Sequence, residues 1–312
     1  MINRRHIRIK VMQSFYALLQ SKSDNIIREE KFLYFSIDKL YDLYVLQLSL
    51  LVEVKKLATK RLSISKKGRV STIDNIQGFE NFSNNEFLTL LDESVSLNEY
   101  ISSKNINNWK DATEYLQIIL DEIKSSDIFK EYTLIKEPSF NDDKNFIIDV
   151  FKKIVAPNEK LFDYYEDQYI GWIDDIPFVN TYILKQFEKI KSNSIIILDS
   201  LFKDDDDRSF VKELFTKTVL HHTEFDKDID DKTPNWEYDR IAEMDLILIK
   251  MALTEFLFFP SIPTKVTINE YIEIAKDYSS EKSSFFINGV LDKLEKEYKS
   301  NKKIKKIGRG LI

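Results

Sequence analysis

Glycine and proline number only 6 each in 312 residues, and apolar side chains recur at spacings of three and four along most of the chain between them. A many-stranded sandwich or barrel needs frequent turn residues and alternating apolar positions, so the pattern excludes both and predicts an all-α protein. With 43% hydrophobic and 13% aromatic residues, a chain of this length can bury a sizeable core in one or two domains. No repeat of fixed period is present, which argues against a solenoid.

The cysteine count is 0, which excludes disulfides and thiol chemistry, removes the usual ligands of structural zinc, and suits a reducing, cytoplasmic setting. The opening MINRRHIRIKVMQSFYALLQ lacks a continuous apolar region and a small-residue cleavage site. The most apolar later stretch, 246–259, is interrupted by Lys250 and Glu255, so neither export nor membrane insertion is expected. A net charge of -6 makes the chain as a whole a poor ligand for phosphate backbones. The charge is uneven, however. Residues 1–20 hold Arg4, Arg5, Arg8 and Lys10 with no carboxylate, and the tail from Lys299 adds Lys302, Lys303, Lys305, Lys306 and Arg309.

The periodicity predicts a first helix over 4–20, with Ile7, Val11, Phe15 and Leu18 on its buried face, and a second over 25–62. Residues 64–82, with Gly68 and Gly78, read as an exposed loop. Ser83-x-x-Glu86 reads as a capping box. Helices follow over 109–124, 141–155, 159–169 and 178–202, bordered by Pro138, Pro157 and Pro177. The aromatic residues of this region, Tyr41, Tyr44, Trp109, Tyr164, Tyr165 and Trp172, read most simply as the core of a second bundle. The acidic run 204–207 complements the positive end of a helix over 209–222. Thr233-Pro234 predicts a helix from about residue 235 carrying Trp236, Ile241, Met244, Leu248 and Met251 and stopping before Pro260. Thr267-x-x-Glu270 reads as a capping box for a helix ending near 278, and a last helix starts at Ser283 or Ser284.

Arg5 and Tyr16 lie about three turns apart on one side of the first helix. A cation and a ring on one exposed face suit single-stranded RNA, which offers phosphates to the one and unstacked bases to the other. The plainer alternative is that Tyr16 packs into the bundle and the arginines keep that end solvated. Arg8 falls close to Phe15 on the apolar side, where its stem would have to snorkel outward. Of Phe285 and Phe286, about 100° apart on a helix, one should be buried and the other exposed. Gly289 in mid-helix costs roughly 1 kcal/mol against alanine, which implies the close passage of another backbone, so Asn288 and Gly289 read as structural. No nucleophile elbow, P-loop, GxGxxG or HExxH is present, and the histidines are His6, His221 and His222, the last two on different helix faces. The sequence therefore predicts no enzyme, no cofactor and no metal site.

Three ordered blocks carry a family resemblance: WEYDRIAEMDLILIKMALTEF from Trp236, PTKVTINEYIEIAK from Pro263 and FFINGVLDKL from Phe285. Together with the opening RRHIRIKVMQSFYALLQ and the segment DDRSFVKELFTKTVLHHTEFDKDID, they resemble the NusB transcription antitermination family. The resemblance divides the chain into a NusB-like bundle (1–20 with 205–295), a helical insertion (21–204) and a basic tail (296–312). It implies an all-α bundle that pairs with a NusE-type small-subunit ribosomal protein, binds boxA-like RNA in nascent ribosomal RNA, and acts in the RNA polymerase antitermination complex. On that basis Arg4, Arg5, Arg8, Tyr16 and Phe286 are the expected RNA contacts. Asp239, Asp245 and Lys282 are the expected partner contacts, although Lys282 stands where the family often has an acid and Lys250 replaces a usual arginine. A related helical domain occurs in RNA cytosine methyltransferases, but this chain has neither their α/β cofactor domain nor their cysteine chemistry. The alternative is a non-enzymatic protein-protein scaffold acting through the acidic insertion.

Overall fold

Short polar side chains set where the apolar periodicities become helices. In the computed structural model, which describes residues 1–67, 76–234 and 240–311, the Asn3 side chain accepts from the His6 N–H and opens the first helix. Lys22, in the left-handed region at φ 50°, closes it. The chain runs through α1 (Arg4–Ser21), α2 (Ile26–Lys67), α3 (Ile76–Asn84), α4 (Glu86–Asp92), α5 (Val95–Lys104), α6 (Asn108–Asp111), α7 (Thr113–Ser125) and α8 (Asp127–Thr133). It continues through α9 (Phe140–Val150), α10 (Glu159–Gln168), α11 (Ile176–Lys189), α12 (Asp205–His221), α13 (Asp226–Asp230), α14 (Glu243–Phe258), α15 (Thr264–Tyr278) and α16 (Ser283–Ser300). The described residues contain no strand, and the fold is all-α.

Two compact units result. One contains Met1–Ile37 and Ser200–Ile312, the other Asp38–Asp199. The first is built around α14, in which every residue from Ile247 to Phe256 is buried. A helix that is apolar all round has to be enclosed, and α1, α12, α15 and α16 pack on it. Lys250, within that run, carries its ammonium to Asp226 at 2.7 Å. In the second unit, Tyr41, Tyr44, Trp109, Tyr164, Tyr165 and Trp172 are all buried as expected. The indoles of Trp109 and Trp172 donate to the Leu46 and Lys39 carbonyls, which satisfies the one polar atom each ring buries.

Several local expectations are corrected. The α2 helix continues to Lys67, and 76–84 is helical with Gly78, Phe79 and Phe82 buried, so 64–82 is not an exposed loop; Gly68 lies outside the described residues. A β-carbon at Gly78 would come 2.2 Å from Thr133 Cγ2, so this glycine permits close packing rather than a turn. The cap before α4 is Asn85, which accepts from the Leu88 N–H; Ser83 sits inside α3. The helix predicted over 178–202 ends at Lys189, where the polar Ser192-Asn193-Ser194 and three β-branched isoleucines discourage continuation. The Thr233 hydroxyl donates to the Ile229 carbonyl at the end of α13; the N–H groups it is expected to cap belong to residues outside the described ones. Residues 235–239 lie outside the described residues, and α14 starts only at Glu243.

Candidate functional site

The first turns of α1 place Arg4, Arg5 and Arg8 around a groove of about 640 Å³, completed by Ser261–Pro263, Val266 and Glu270 from the start of α15 and the turn before it. Each arginine meets a carboxylate. Arg4 Nε donates to Asp207 Oδ1 at 2.9 Å, and its guanidinium lies 5.0 Å from the Phe210 ring centroid. Arg5 makes a two-pronged pair with Glu270, Nε to Oε2 at 2.9 Å and Nη2 to Oε1 at 2.8 Å. That hydrogen bonding raises the Arg5 pKa and lowers that of Glu270 below the usual carboxylate range.

Arg8 does not snorkel outward. It is 2% exposed and donates from Nε and Nη2 to Glu255 at 2.6 and 2.9 Å. Glu255 also accepts from Thr267 at 3.1 Å and Tyr271 at 2.8 Å, so the carboxylate is saturated. Burial opposes the Arg8 charge, and Glu255 outweighs it, leaving the arginine pKa raised. Burial, reinforced by Glu255, holds the Tyr271 phenol far above its ordinary range. The physical reason for the inward turn is that Glu255, inside an apolar helix, would otherwise be an unpaired buried charge. Arg8 therefore holds the groove floor rather than offering a free contact.

The same network corrects the second capping box. The α15 helix starts at Thr264, before Thr267. The Thr267 hydroxyl serves Glu255 and Glu270 serves Arg5, so the Thr-x-x-Glu pattern belongs to the site and not to a helix end. The predicted site also missed Asp207, Glu255 and Glu270. The signal for Glu255 was present in the sequence: a lone acid within an otherwise apolar run demands a partner.

The remaining expected residues are dispersed. Tyr16, on α1, is 39% exposed but does not line the groove. Phe286 is half-buried against the core of its unit, whereas Phe285 is 80% exposed, so the outward ring is the neighbour of the one the sequence singled out. Gly289 faces open space: among the described residues a β-carbon there would meet nothing within 4 Å, so the close backbone passage expected at this glycine is not found among them. Asp245 is buried and accepts from the Ser279 hydroxyl at 2.6 Å, so it is not a surface carboxylate. Asp239 lies outside the described residues, and Lys282 is exposed just before α16. The basic tail folds back, with Lys306 Nζ donating to the Glu255 and Phe259 carbonyls at 3.0 and 2.9 Å. It thereby satisfies carbonyls at the end of α14, and burial lowers its pKa to about 8.

Among the described residues no helix is long and apolar enough to cross a membrane, and no group of three or more His, Cys, Asp or Glu could hold a metal ion. An all-α bundle with an arginine-lined groove at the start of its first helix is thus the class that fold and site define. Residues 181–296 match the NusB family. The transcription antitermination protein NusB of Salinibacter ruber is 42% identical over 112 residues, covering 36% of this chain and 70% of that protein. The protein of the same name from Chloroherpeton thalassium is 38% identical over 117 residues, covering 38% of this chain and 56% of the relative. That of Agathobacter rectalis is 42% identical over 89 residues, covering 28% and 68%. The chain belongs to the NusB family. No solved structure matches it.

Proposed function

We propose that this protein is a transcription antitermination factor that binds boxA-type single-stranded RNA of nascent ribosomal RNA, together with a NusE-type small-subunit ribosomal protein, within the RNA polymerase antitermination complex. The reading is supported by relatives that carry the name transcription antitermination protein NusB. The observation that carries it here is the clustering of Arg4 and Arg5, both partly exposed, on one turn beside an open groove. Guanidinium forks of this kind suit phosphate geometry. Tyr16, further along the same helix, and Phe285 at the start of α16 offer rings for unstacked bases. Lys282, near Phe285, serves the protein partner, and Arg8 and Glu255 keep the groove floor in place.

The test is assembly. The purified chain, its cognate NusE-type protein and a boxA-type RNA should co-elute as a ternary complex at near-physiological salt, and reversal of both exposed charges, Arg4→Glu with Arg5→Glu, should remove the RNA while leaving the helical spectrum intact. Elution of the three components separately would refute the reading. Arg8 is left out of that variant because its reversal would place two like charges in the core.

A further inference from the structure

The groove that should receive phosphates is electrically balanced by its own walls. Arg4 is paired with Asp207, Arg5 with Glu270 and Arg8 with Glu255. The three pairs differ in depth. The Arg8 and Glu255 side chains are 3% and 0% exposed, whereas those of Arg5 and Glu270 are 47% and 21% exposed. Glu270 Oε2 also lies 3.8 Å from Arg8 Nη1, so one carboxylate sits between two guanidiniums at the mouth of the groove. Its two-pronged grip on Arg5 uses the same donor pair that a phosphate would use.

We infer that Glu270 occupies, in the RNA-free protein, the position of an RNA phosphate, and that RNA binds by displacing it from Arg5. Glu270 is then an affinity-setting residue whose part in stability is only that of a half-exposed ion pair. Such displacement rests on the RNA-binding function proposed above. Sequence-independent affinity arises when a phosphate's counterions are released by a protein cation. A cation already neutralised by a neighbouring carboxylate contributes little, because that carboxylate must regain counterions when it is displaced. Arg4 and Asp207 form a second, weaker case, since a single nitrogen bridges them closely. The Glu270 carboxylate, by contrast, holds Arg5 by two prongs and lies 3.8 Å from Arg8 Nη1.

The deciding experiment measures binding of a short single-stranded boxA-type RNA by fluorescence anisotropy across a salt series, with the NusE-type protein present throughout, for the wild type, Glu270→Gln and Glu270→Ala. Both substitutions should tighten binding by roughly three- to fivefold, the worth of an exposed ion pair. They should also steepen the slope of log affinity against log salt by about 0.7, one single-strand phosphate contact. Adding Arg5→Gln to Glu270→Gln should abolish the gain. Circular dichroism melts confirm that each variant is folded, and the alanine variant guards against a residual hydrogen bond from glutamine. If the wild type binds and both Glu270 variants bind equally or more weakly, the displacement inference falls while the RNA reading stands. If no variant binds at any salt, the RNA reading fails and this inference fails with it.

Discussion

Two deeply buried carboxylates, Glu255 in one unit of the molecule and Asp143 in the other, have their cost neutralised in different ways. In the unit that contains both chain ends, Glu255 is 0% exposed and meets the cation of Arg8, with Thr267 and Tyr271 completing its hydrogen bonds. In residues 38–199, Asp143 is 4% exposed and accepts hydrogen bonds from neutral donors, the Glu86 N–H at 2.5 Å and the Tyr132 hydroxyl. Burial raises the pKa of Asp143 despite those donors. The difference separates a site from a brace. A buried anion answered by an arginine anchors a cationic turn at the surface, where Arg4 and Arg5 follow from the same helix. A buried anion answered by a backbone N–H simply fixes the start of α4 against α8 and α9.

The largest expected effect breaks the first arrangement. Arg8→Ala leaves Glu255 uncompensated and should lower stability by about 3–5 kcal/mol, read from the urea midpoint; replacing both partners, Arg8→Met with Glu255→Leu, should recover most of that loss, because a buried pair is rarely better than well-packed apolar groups. A smaller contrast tests the two helical glycines. Gly78→Ala in α3 should destabilise by roughly 1–3 kcal/mol through overpacking against Thr133 and Phe129. Gly289→Ala, which meets nothing within 4 Å, should instead stabilise α16 by up to about 1 kcal/mol; opposite shifts in melting temperature are the readout.

The smallest effect concerns acid. Glu270 has a lowered folded-state pKa, so its contribution is present above the unfolded carboxylate range and is lost as pH falls through the folded value. Asp143 has a raised one, so its protonated form favours the fold at low pH and that advantage is lost as pH rises through the folded value. Acidification towards about pH 4 should therefore lower amide-exchange protection factors near α15 and raise them near α4, each taken relative to the intrinsic exchange rate at that pH. Parallel changes in both segments would contradict the contrast.

Much of the fold was legible along the chain. The first helix, the enclosed α14, the aromatic core of the second region and the start of α16 follow from periodicity, because burial of a helical face demands apolar residues at fixed spacing. The acidic run 204–207 was legible as a helix start for the same local reason: it forms the N-cap and first turn of α12, where Asp204 accepts from the Asp207 N–H. Errors gathered where a polar side chain had two uses. Thr267 and Glu270 have capping-box spacing, yet both point to groups more than ten residues away. Asp245 looks like a surface acid and is buried against Ser279.

What the amino-acid order alone determined is the all-helical class, the family and the arginine-rich opening turn, since each depends on residue type and short-range spacing. Which of those arginines reaches solvent, and which carboxylate holds it, was decided only in three dimensions. The Arg8 pairing joins residues 247 positions apart and that of Arg5 joins residues 265 apart. No local pattern encodes such a meeting, because electrostatic partners are chosen by the packing of α1 against α14 and α15 and by the cost of leaving Glu255 without a cation.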